Sequence, residues 1–412
     1  SLGDLYGMHW PFKQHKTSRN IKTLPYHDEL KSFGACFGVS GGYERPMWFA
    51  LDGEKTEYEY SYNYQNWYPS AEYETNNTVK NVGLFDLTPF SKFEIKSDKA
   101  HKELQKICTA NIKNEVGKCI YTHMLNPDGG IETDLTVVCI DKDHFRIISS
   151  AATRERDKFH IKKYLAKDIE LKDVTDDFCV FGVFGPKSRA LMKSISKDNF
   201  ENDEFRFGTA KYISIEGIKI WTQRLSYVGE LGFELYVRSK DAKKIYELLI
   251  DKGKDFNLSN CGMHAMDIMR MESGFLHWGH DISPEENQYQ AGLSFTISSK
   301  KEDEFIGKRA LEKIKKEKIK SRFAMFTLKD SKPGEPLLLH DEPIYLENNI
   351  IGRSTSGNYS FNFKKNLAFG YINNDISNNE LHKKDLFIEV EKKKYPIDLI
   401  IKPLKQTNFK NN

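Results

Sequence analysis

The segment NPDGGIETDLTVVCI, residues 126–140, places a Pro-Asp-Gly-Gly turn directly before two acidic residues and an apolar run. The run predicts a β-strand, because β-branched residues favour strands and the glycines mark a turn. Alternation with a period of two sends Glu132, Asp134 and Thr136 to one face of that strand. Strands disfavour Asp and burial of a carboxylate is costly, so we infer that these acids serve chemistry.

Predicted strands and helices alternate on both sides of this segment. Residues 83–95, GLFDLTPFSKFEI, predict a strand, a turn and a second strand, and residues 97–112 predict a helix with Ser97 or Asp98 as its N-cap. A second unit of similar make-up starts at residue 179 with CVFGVFGPKSRALMKSI. Strands followed by helices, twice, predict two α+β lobes.

Composition divides the chain into three predicted parts. Residues 1–50 are rich in aromatic residues, Pro and Gly and predict an extended lead-in segment that wraps a core, and residues 51–304 contain the two interleaved lobes. Residues 305–412 begin with a Lys-rich helix, KRALEKIKKEKIK, and continue with short strands between turn signals, which predicts an all-β domain. The Lys-rich helix is either a solvated face or a binding surface for an anionic tail such as polyglutamate.

The charge balance and the cysteines limit the possible partners and location. Lys plus Arg number 62 and Asp plus Glu 59, for a formal charge of +3, so we expect neither a nucleic-acid nor a membrane partner. The six cysteines form no CxxC pair, which is typical of buried free thiols in a reducing compartment. Without a long apolar run or a signal peptide, we expect a location in the cytoplasm or an organelle matrix.

Several common signatures are missing from the sequence. It contains no G-x-G-x-x-G turn, no Walker loop and no H-E-x-x-H, so we expect no flavin or nicotinamide site and no catalytic zinc in this chain. His277 and His280 lack a third ligand at suitable spacing, so we predict no metal site. Any redox chemistry would need a partner.

Two further motifs place acidic residues where they could contact a ligand. Glu230 stands between two glycines in YVGELGFEL, where it is either a binding residue or an exposed hairpin tip. In CGMHAMDIMRMESGF, Asp267 and Arg270 are three residues apart on a predicted helix and can pair. The methionines of that helix fit either a core or a binding face.

The motifs occur in an order that matches a known family. The relevant blocks are GLFDLTPFSKFEI, YTHMLNPDGGIETDLTVV, SAATRERDKFHI, VFGPKSRAL, YVGELGFEL, CGMHAMDIMRMESGF and STSGNYSFNFKKNLAFGYI. Together they resemble the tetrahydrofolate-dependent aminomethyltransferases, the glycine cleavage system T proteins. The blocks YGMHWPF, YERPMWFA and WGHDISPEENQYQAGL are similar to the C-terminal, folate-binding half of dimethylglycine and sarcosine dehydrogenases.

The resemblance implies a three-domain cloverleaf of the T-protein type. Two mixed α/β lobes and a C-terminal β-barrel or jelly-roll-like domain would surround a central folate cavity. Asp134 would lie beside the reactive edge of the pterin as the catalytic residue, Glu230 would hydrogen-bond the pterin ring, and Tyr121 would line the cavity. Ser150 stands where T proteins typically have Asn. The residues that we expect to contact the folate are Tyr121, Glu230, Glu132, Ser150 and Arg270.

The implied function is transfer of a one-carbon unit to tetrahydrofolate, with or without a polyglutamate tail on the folate. The carbon would come from a methylated amine such as dimethylglycine or sarcosine, oxidised by a flavin-dependent dehydrogenase domain or subunit, and the product would be 5,10-methylenetetrahydrofolate. One alternative is a demethylase that forms 5-methyltetrahydrofolate from a sulfonium or quaternary amine. Another is a folate-binding protein without transfer activity.

Overall fold

The computed structural model describes residue 3 and residues 6–301, 303–406 and 409–410. The first residues of the predicted lead-in and the last of the predicted C-terminal domain therefore lie partly outside the described residues. All six cysteines are free and buried. None of the helices in the described part of the chain is both long and apolar enough to span a bilayer.

The lead-in contains regular structure that its sequence pattern did not indicate. Helix α1 (His27–Ser32) precedes a hairpin of strands β1 (Ala35–Ser40) and β2 (Tyr43–Phe49). Its aromatic residues do pack on a core, since Tyr26 stacks on Tyr246 with ring centroids 4.9 Å apart. Helix α2 (Tyr68–Lys80) follows the hairpin.

The two lobes are mixed α/β, as predicted. Their strands are β3 (Val82–Asp86), β4 (Ser91–Lys96), β5 (Cys119–Leu125), β6 (Ile131–Asp141), β7 (His144–Ser149), β8 (Leu171–Asp173), β9 (Phe178–Phe184), β10 (Ala210–Ile215), β11 (Ile218–Gln223), β12 (Gly232–Arg238) and β13 (Leu258–Cys261). Their helices are α3 (Ala100–Ile107), α4 (Arg154–Tyr164), α5 (Ser188–Ile195), α6 (Ala242–Gly253) and α7 (Met263–Glu272).

These strands form two sheets, and the strands of one lie in sequence between strands of the other. One sheet has the order β10-β11-β12-β9-β3-β13 and the other has the order β5-β6-β7-β4-β8. Strands β3 and β4, predicted correctly as strand, turn and strand, therefore belong to different sheets. Every residue of β3 is buried, which suits a strand that pairs with β9 on one side and β13 on the other. The two lobes are thus interleaved in sequence.

The C-terminal part is a closed barrel. Helix α8 (Lys308–Lys316) leads to strands β14 (Ser321–Leu328), β15 (Pro343–Leu346), β16 (Asn349–Ser360), β17 (Lys365–Asn373), β18 (Leu386–Val390) and β19 (Lys393–Ile400), with α9 (Asn378–Lys383) before β18. The strand order is β14-β17-β16-β15-β18-β19. Closure removes exposed sheet edges and confirms the predicted all-β character. The domain boundaries at residues 50 and 304 stay predictions.

The predicted cap of α3 is wrong. The helix begins at Ala100, its N-cap is Lys99, and neither Ser97 nor Asp98 caps it. The Ser97 hydroxyl instead accepts a hydrogen bond from the Lys99 amide at 3.2 Å, which closes a turn before the helix. The helix also ends at Ile107, because Cys108 is extended.

The Gly-Gly turn before β6 lies close to the helix at residues 308–316 and to the loop that contains Pro284. Gly129 has φ of +89°, and a Cβ on Gly130 would lie 1.9 Å from the Pro284 carbonyl oxygen. The loop that contains Pro284 is fixed to β6, because Trp278 Nε1 donates to the Ile131 carbonyl at 3.0 Å. The start of the Asp134 strand is therefore held from outside its own sheet.

Glu74 on α2 joins the lead-in to the helix α7. It is 1% exposed, and its two carboxyl oxygens accept hydrogen bonds from the Phe49 amide at 2.7 Å and the Gly262 amide at 2.8 Å. Both amides lie at ends of their elements, where a backbone donor has no partner within its own strand or helix.

We expect Glu74→Ala to lower the free energy of unfolding by about 3 kcal/mol, because two buried amides lose their acceptors. Urea unfolding monitored by circular dichroism measures the change. Glu72→Ala, at an exposed position of the same helix, is the control and should change the value by less than about 0.5 kcal/mol. Equal effects of the two substitutions would contradict this role of Glu74.

Candidate functional site

Asp134 lies on the partly exposed face of β6. Burial alternates along the strand as predicted, with Ile131 and Thr133 buried and Glu132 and Asp134 partly exposed. In the pairing with β5, His123 stands directly opposite Asp134. His123 Nε2 is 3.5 Å from Asp134 Oδ1 and 3.3 Å from the Tyr121 hydroxyl. Three polar side chains therefore meet on one face of two adjacent strands.

The surroundings of this cluster are enclosed by protein. Tyr121 exposes 40% of its surface, yet burial is the main cause of the raised pKa of its hydroxyl. The exposed part of Tyr121 therefore faces a recess between neighbouring residues rather than open solvent. Burial also raises the pKa of Asp134 to about 7, the charge of Asp157 acts in the same direction, and a hydrogen bond with Tyr121 opposes them. A carboxyl in this range can both give and take a proton near neutral pH.

Asp157 on α4 supports the same strand from behind. It is 1% exposed, and its carboxyl oxygens accept hydrogen bonds from the Thr133 hydroxyl at 3.2 Å and the Thr153 hydroxyl at 2.7 Å. Burial raises its pKa to about 6. Two carboxyls with raised pKa values thus lie on either side of β6.

The second lobe and α7 contribute the opposite wall. The Tyr227 hydroxyl donates to the Leu276 carbonyl at 2.9 Å. Burial raises the pKa of Tyr227, and the negative charges of Asp267, Asp134 and Asp281 raise it further. Tyr227 therefore lies near Asp134 in the first lobe and near Asp267 on α7. We use the term central recess for the space bordered by Tyr121, Asp134, Tyr227 and Asp267.

Asp267 keeps its charge in this setting. Its side chain is 38% exposed, Arg270 Nε donates to its Oδ1 at 2.8 Å, and Asn358 Nδ2 donates to its Oδ2 at 2.9 Å. Burial raises the pKa of Asp267, but the Arg270 guanidinium together with His277 and His280 outweighs burial and lowers the pKa to about 2. The predicted pairing of Asp267 with Arg270 is confirmed.

Arg270 is surrounded by protein acceptors. It is 2% exposed, and besides Asp267 it donates to Asp281 Oδ2 at 2.5 Å, the Phe275 carbonyl at 3.1 Å and the Ser356 hydroxyl at 2.8 Å. The structure therefore uses its guanidinium to join α7, the following loop and barrel strand β16. A contact between Arg270 and folate stays a prediction.

Glu230 lies in a buried cluster rather than at an exposed hairpin tip. It is 7% exposed and forms an ion pair with Lys405, whose Nζ also donates to the Val228 carbonyl at 3.2 Å. Burial raises the pKa of Glu230, and Lys405 opposes that rise. Glu272, fully buried, lies beside them and accepts from the Ser360 hydroxyl at 2.6 Å.

The two remaining predicted residues have local partners. Glu132 Oε1 accepts from Arg156 Nε at 2.9 Å, and the Arg156 guanidinium lies over the Trp278 ring at 4.9 Å. The Ser150 hydroxyl accepts from the Ala152 amide at 3.3 Å and caps a short 3-10 helix. The structure thus brings Tyr121 and Asp134 together, whereas folate contacts by Glu230, Glu132, Ser150 and Arg270 stay predictions.

Several residues of the site were not predicted from the sequence. His123 follows Tyr121 by two positions on a strand, so the period of two could have identified it. Asp157, Tyr227 and Lys405 gave no such signal, because each approaches the site from a distant part of the chain. Within the described residues, no group of three or more His, Cys, Asp or Glu is arranged to hold a metal ion.

The arrangement can be compared with known proteins. The family model for the GCVT N-terminal domain matches residues 26–301, and the model for the glycine cleavage T-protein C-terminal barrel domain matches residues 322–405. This chain belongs to the glycine cleavage T-protein family. The resemblance inferred from the sequence blocks is therefore confirmed.

Curated relatives and a solved structure agree with this membership of the T-protein family. The chain is 36% identical over 375 residues to 4-methylaminobutanoate oxidase (formaldehyde-forming) of Paenarthrobacter nicotinovorans, covering 91% of this chain and 45% of the relative. It is 33% identical over 371 residues to mitochondrial dimethylglycine dehydrogenase of Rattus norvegicus, covering 89% and 42%. The chain thus spans less than half the length of these relatives.

The crystal structure of glycine cleavage system aminomethyltransferase T from Bartonella henselae has the same fold. It superposes with a TM-score of 0.79 at 21% identity, covering 94% of this chain and 98% of that one. The fold class predicted from the sequence, a T-protein-type assembly of two mixed lobes and a C-terminal barrel, is confirmed.

The raised pKa of Asp134 predicts that Asp134→Asn increases the free energy of unfolding by an amount that depends on pH. An acid whose pKa rises from 3.8 to about 7 on folding stabilises the folded state below about pH 4 and loses that contribution as pH increases toward 7. Asparagine does not ionise, so the variant should be more stable than the parent by about 2 kcal/mol at pH 8 and by much less at pH 4.5.

Urea midpoints at the two pH values test this expectation. Glu132→Gln is the matched control on the same strand face. This variant loses the ion pair with Arg156, so it should not be more stable than the parent at pH 8. A stability difference for Asp134→Asn that is the same at both pH values would rule out a raised pKa for Asp134.

The pair of Glu230 and Lys405 predicts a second effect on stability. Lys405→Met should destabilise the protein by about 3 kcal/mol, because it leaves Glu230 buried without its counter-ion. The double variant Lys405→Met with Glu230→Gln should regain at least half of that loss. Thermal unfolding measures both, and additive losses in the double variant would show that the two residues are not coupled.

Proposed function

We propose that this chain is a tetrahydrofolate-dependent one-carbon transferase. It accepts carbon at the formaldehyde level from a methylated amine and forms 5,10-methylenetetrahydrofolate. The observation that carries the proposal is the position of Asp134, a carboxyl poised near neutrality on a wall of the central recess in a T-protein fold. A recess of this kind suits a bicyclic ring that must be held away from bulk water.

The chemistry requires a group that can both donate and accept a proton. An iminium CH2=N⁺ forms a bond with the N5 atom of tetrahydrofolate, which releases the N5 proton. The amine nitrogen then takes a proton and leaves, and N10 closes the five-membered ring and loses its own proton. The reaction thus delivers one proton to the amine and releases one. A neutral Asp134 can give the first proton, and its carboxylate can accept the N10 proton and stabilise the cationic intermediate.

The donor that we propose is an N-methylated amino acid oxidised by a flavin-dependent partner. The named relatives are a 4-methylaminobutanoate oxidase and a dimethylglycine dehydrogenase, and this chain spans less than half of each. The transferase chemistry above needs a carbon that is already oxidised, so we assign the oxidation that forms the iminium from the methylated amine to a dehydrogenase domain or subunit.

Two folate contacts complete the proposal. Glu230 offers a buried carboxylate to the N–H groups of the pterin, and Tyr121 offers a hydroxyl and a ring face. Helix α8 is a further candidate surface for a polyglutamate tail. It packs on the Gly-Gly turn before the Asp134 strand, where a Cβ on Gly129 would lie 3.2 Å from Ile314, and it carries exposed Lys315 and Lys316.

Anaerobic calorimetry with tetrahydrofolate tests the binding part. We expect saturable one-to-one binding, weakened about tenfold by Glu230→Gln through loss of a charge-assisted hydrogen bond. Glu216→Gln, at an exposed turn of the same lobe, is the control and should leave the affinity unchanged. A folate with a polyglutamate tail should bind more tightly, and the gain should vanish at high salt if α8 binds the tail. Absence of binding at millimolar folate would overturn the proposal.

Turnover distinguishes the possible products. Formaldehyde and sarcosine, mixed with tetrahydrofolate, supply the iminium without a dehydrogenase. We expect 5,10-methylenetetrahydrofolate to form faster than without protein, and Asp134→Asn to reduce the enzymatic rate at least about 100-fold. A product with the mass of 5-methyltetrahydrofolate would favour the direct demethylase, and folate binding without any turnover would favour a non-catalytic folate-binding protein.

A further inference from the structure

His123 lies between the reactive carboxyl and a buried polar network. Its side chain is completely buried. On one side Nε2 faces Asp134 Oδ1 at 3.5 Å and the Tyr121 hydroxyl at 3.3 Å. On the other side Nδ1 lies 3.0 Å from Thr296 Oγ1 and 3.2 Å from Gln288 Nε2.

The hydrogens of that network determine which ring nitrogen of His123 carries the proton. The Thr296 hydroxyl has one hydrogen and donates it to the Leu293 carbonyl at 2.7 Å. Gln288 Nε2 has two hydrogens, with acceptors at 2.9 Å on Thr109 Oγ1 and on Thr296 Oγ1. Thr296 Oγ1 is therefore an acceptor toward His123, and Nδ1 must donate to it. Exchanging the amide atoms of Gln288 leads to the same result, since its oxygen would then also face Nδ1.

The other ring nitrogen is consequently an acceptor. Burial lowers the pKa of His123 to about 3, so the ring is neutral and holds a single proton. Nε2 then presents a lone pair to both the Tyr121 hydroxyl and Asp134 Oδ1. Within the described part of the chain, Asp134 Oδ1 is buried and receives no hydrogen bond, as expected for an oxygen that faces a lone pair.

We propose that His123 is a positioning residue that holds a proton on Oδ1 of Asp134, so that an incoming ligand meets a carboxylic acid. A carboxyl O–H pointing at Nε2 is attractive, whereas a carboxylate oxygen there is repelled by the lone pair. When the acid gives up its proton, the Tyr121 hydroxyl can donate to the new carboxylate. The use of this proton in one-carbon transfer rests on the proposed function, but the protonation itself does not.

Among the residues that the structure describes, four side chains bear on the titration of Asp134. Tyr121 and His123 face it from β5, Asp157 acts from α4, and Tyr227 lies in the loop before β12. Of these, His123 is the one whose replacement changes an acceptor into a donor without adding charge. His123→Gln can direct an amide N–H at Oδ1, and Thr296→Val removes the acceptor that keeps the proton on Nδ1.

Infrared titration of the full chain without folate measures the protonation directly. The carbonyl band of the protonated Asp134 carboxyl is assigned by its loss in Asp134→Asn. We expect this band to persist to near pH 7 in the parent protein. Its midpoint should move down by about 1 pH unit or more in His123→Gln, and in the same direction in Thr296→Val. An unchanged midpoint in both variants would overturn the proposal.

A second measurement needs no variant and covers the case in which a substitution prevents folding. The ¹⁵N imidazole signals of His123 in the folded parent protein should show a protonated Nδ1 and an unprotonated Nε2. A protonated Nε2 would overturn the proposal. Neither readout uses folate, so failure of folate binding with the expected titration would reject the proposed function and leave the role of His123 intact.

Discussion

The guanidinium of Arg270 is the constraint on which the arrangement of this protein depends. This buried guanidinium donates hydrogen bonds to Asp267, Asp281 and Ser356. It therefore connects helix α7, the loop that follows α7 and barrel strand β16. A buried cation is tolerable only when acceptors surround it, so these three parts of the chain must take up one relative position. The same ion pair keeps Asp267 charged at the edge of the central recess.

The second feature is a contrast between two carboxyls in one recess. Asp267 has a guanidinium beside it and stays ionised, whereas Asp134 faces an uncharged imidazole and titrates near neutral pH. Charged neighbours and burial therefore shift the pKa values of two aspartates in opposite directions. A permanent anion suits the holding of a cationic donor, and a carboxyl near neutrality suits proton transfer.

The support of Asp134 comes from several elements at once. His123 and Tyr121 reach it from the neighbouring strand, Asp157 acts from behind the strand, and Trp278 fixes the start of the strand through the Ile131 carbonyl. The hydrogen bonds to Ile131 and Thr133 hold the backbone that carries Asp134, and Tyr121 and His123 border its side chain. A fixed orientation is a requirement for proton transfer to a ring nitrogen at defined distance.

The sequence by itself determined the family, the mixed lobes, the C-terminal barrel and the face of the strand that carries Asp134. These properties depend on local periodicity, turn residues and ordered blocks, which are visible along the chain. It could not show that β3 and β4 enter different sheets, that the lead-in forms a hairpin, or that Glu230 is paired with Lys405. The pairing of Glu230 with Lys405 and of β3 with β13 joins residues more than a hundred positions apart. The hairpin is local, but its aromatic residues gave no alternation that would mark strands. Only the tertiary structure decides which buried charges meet.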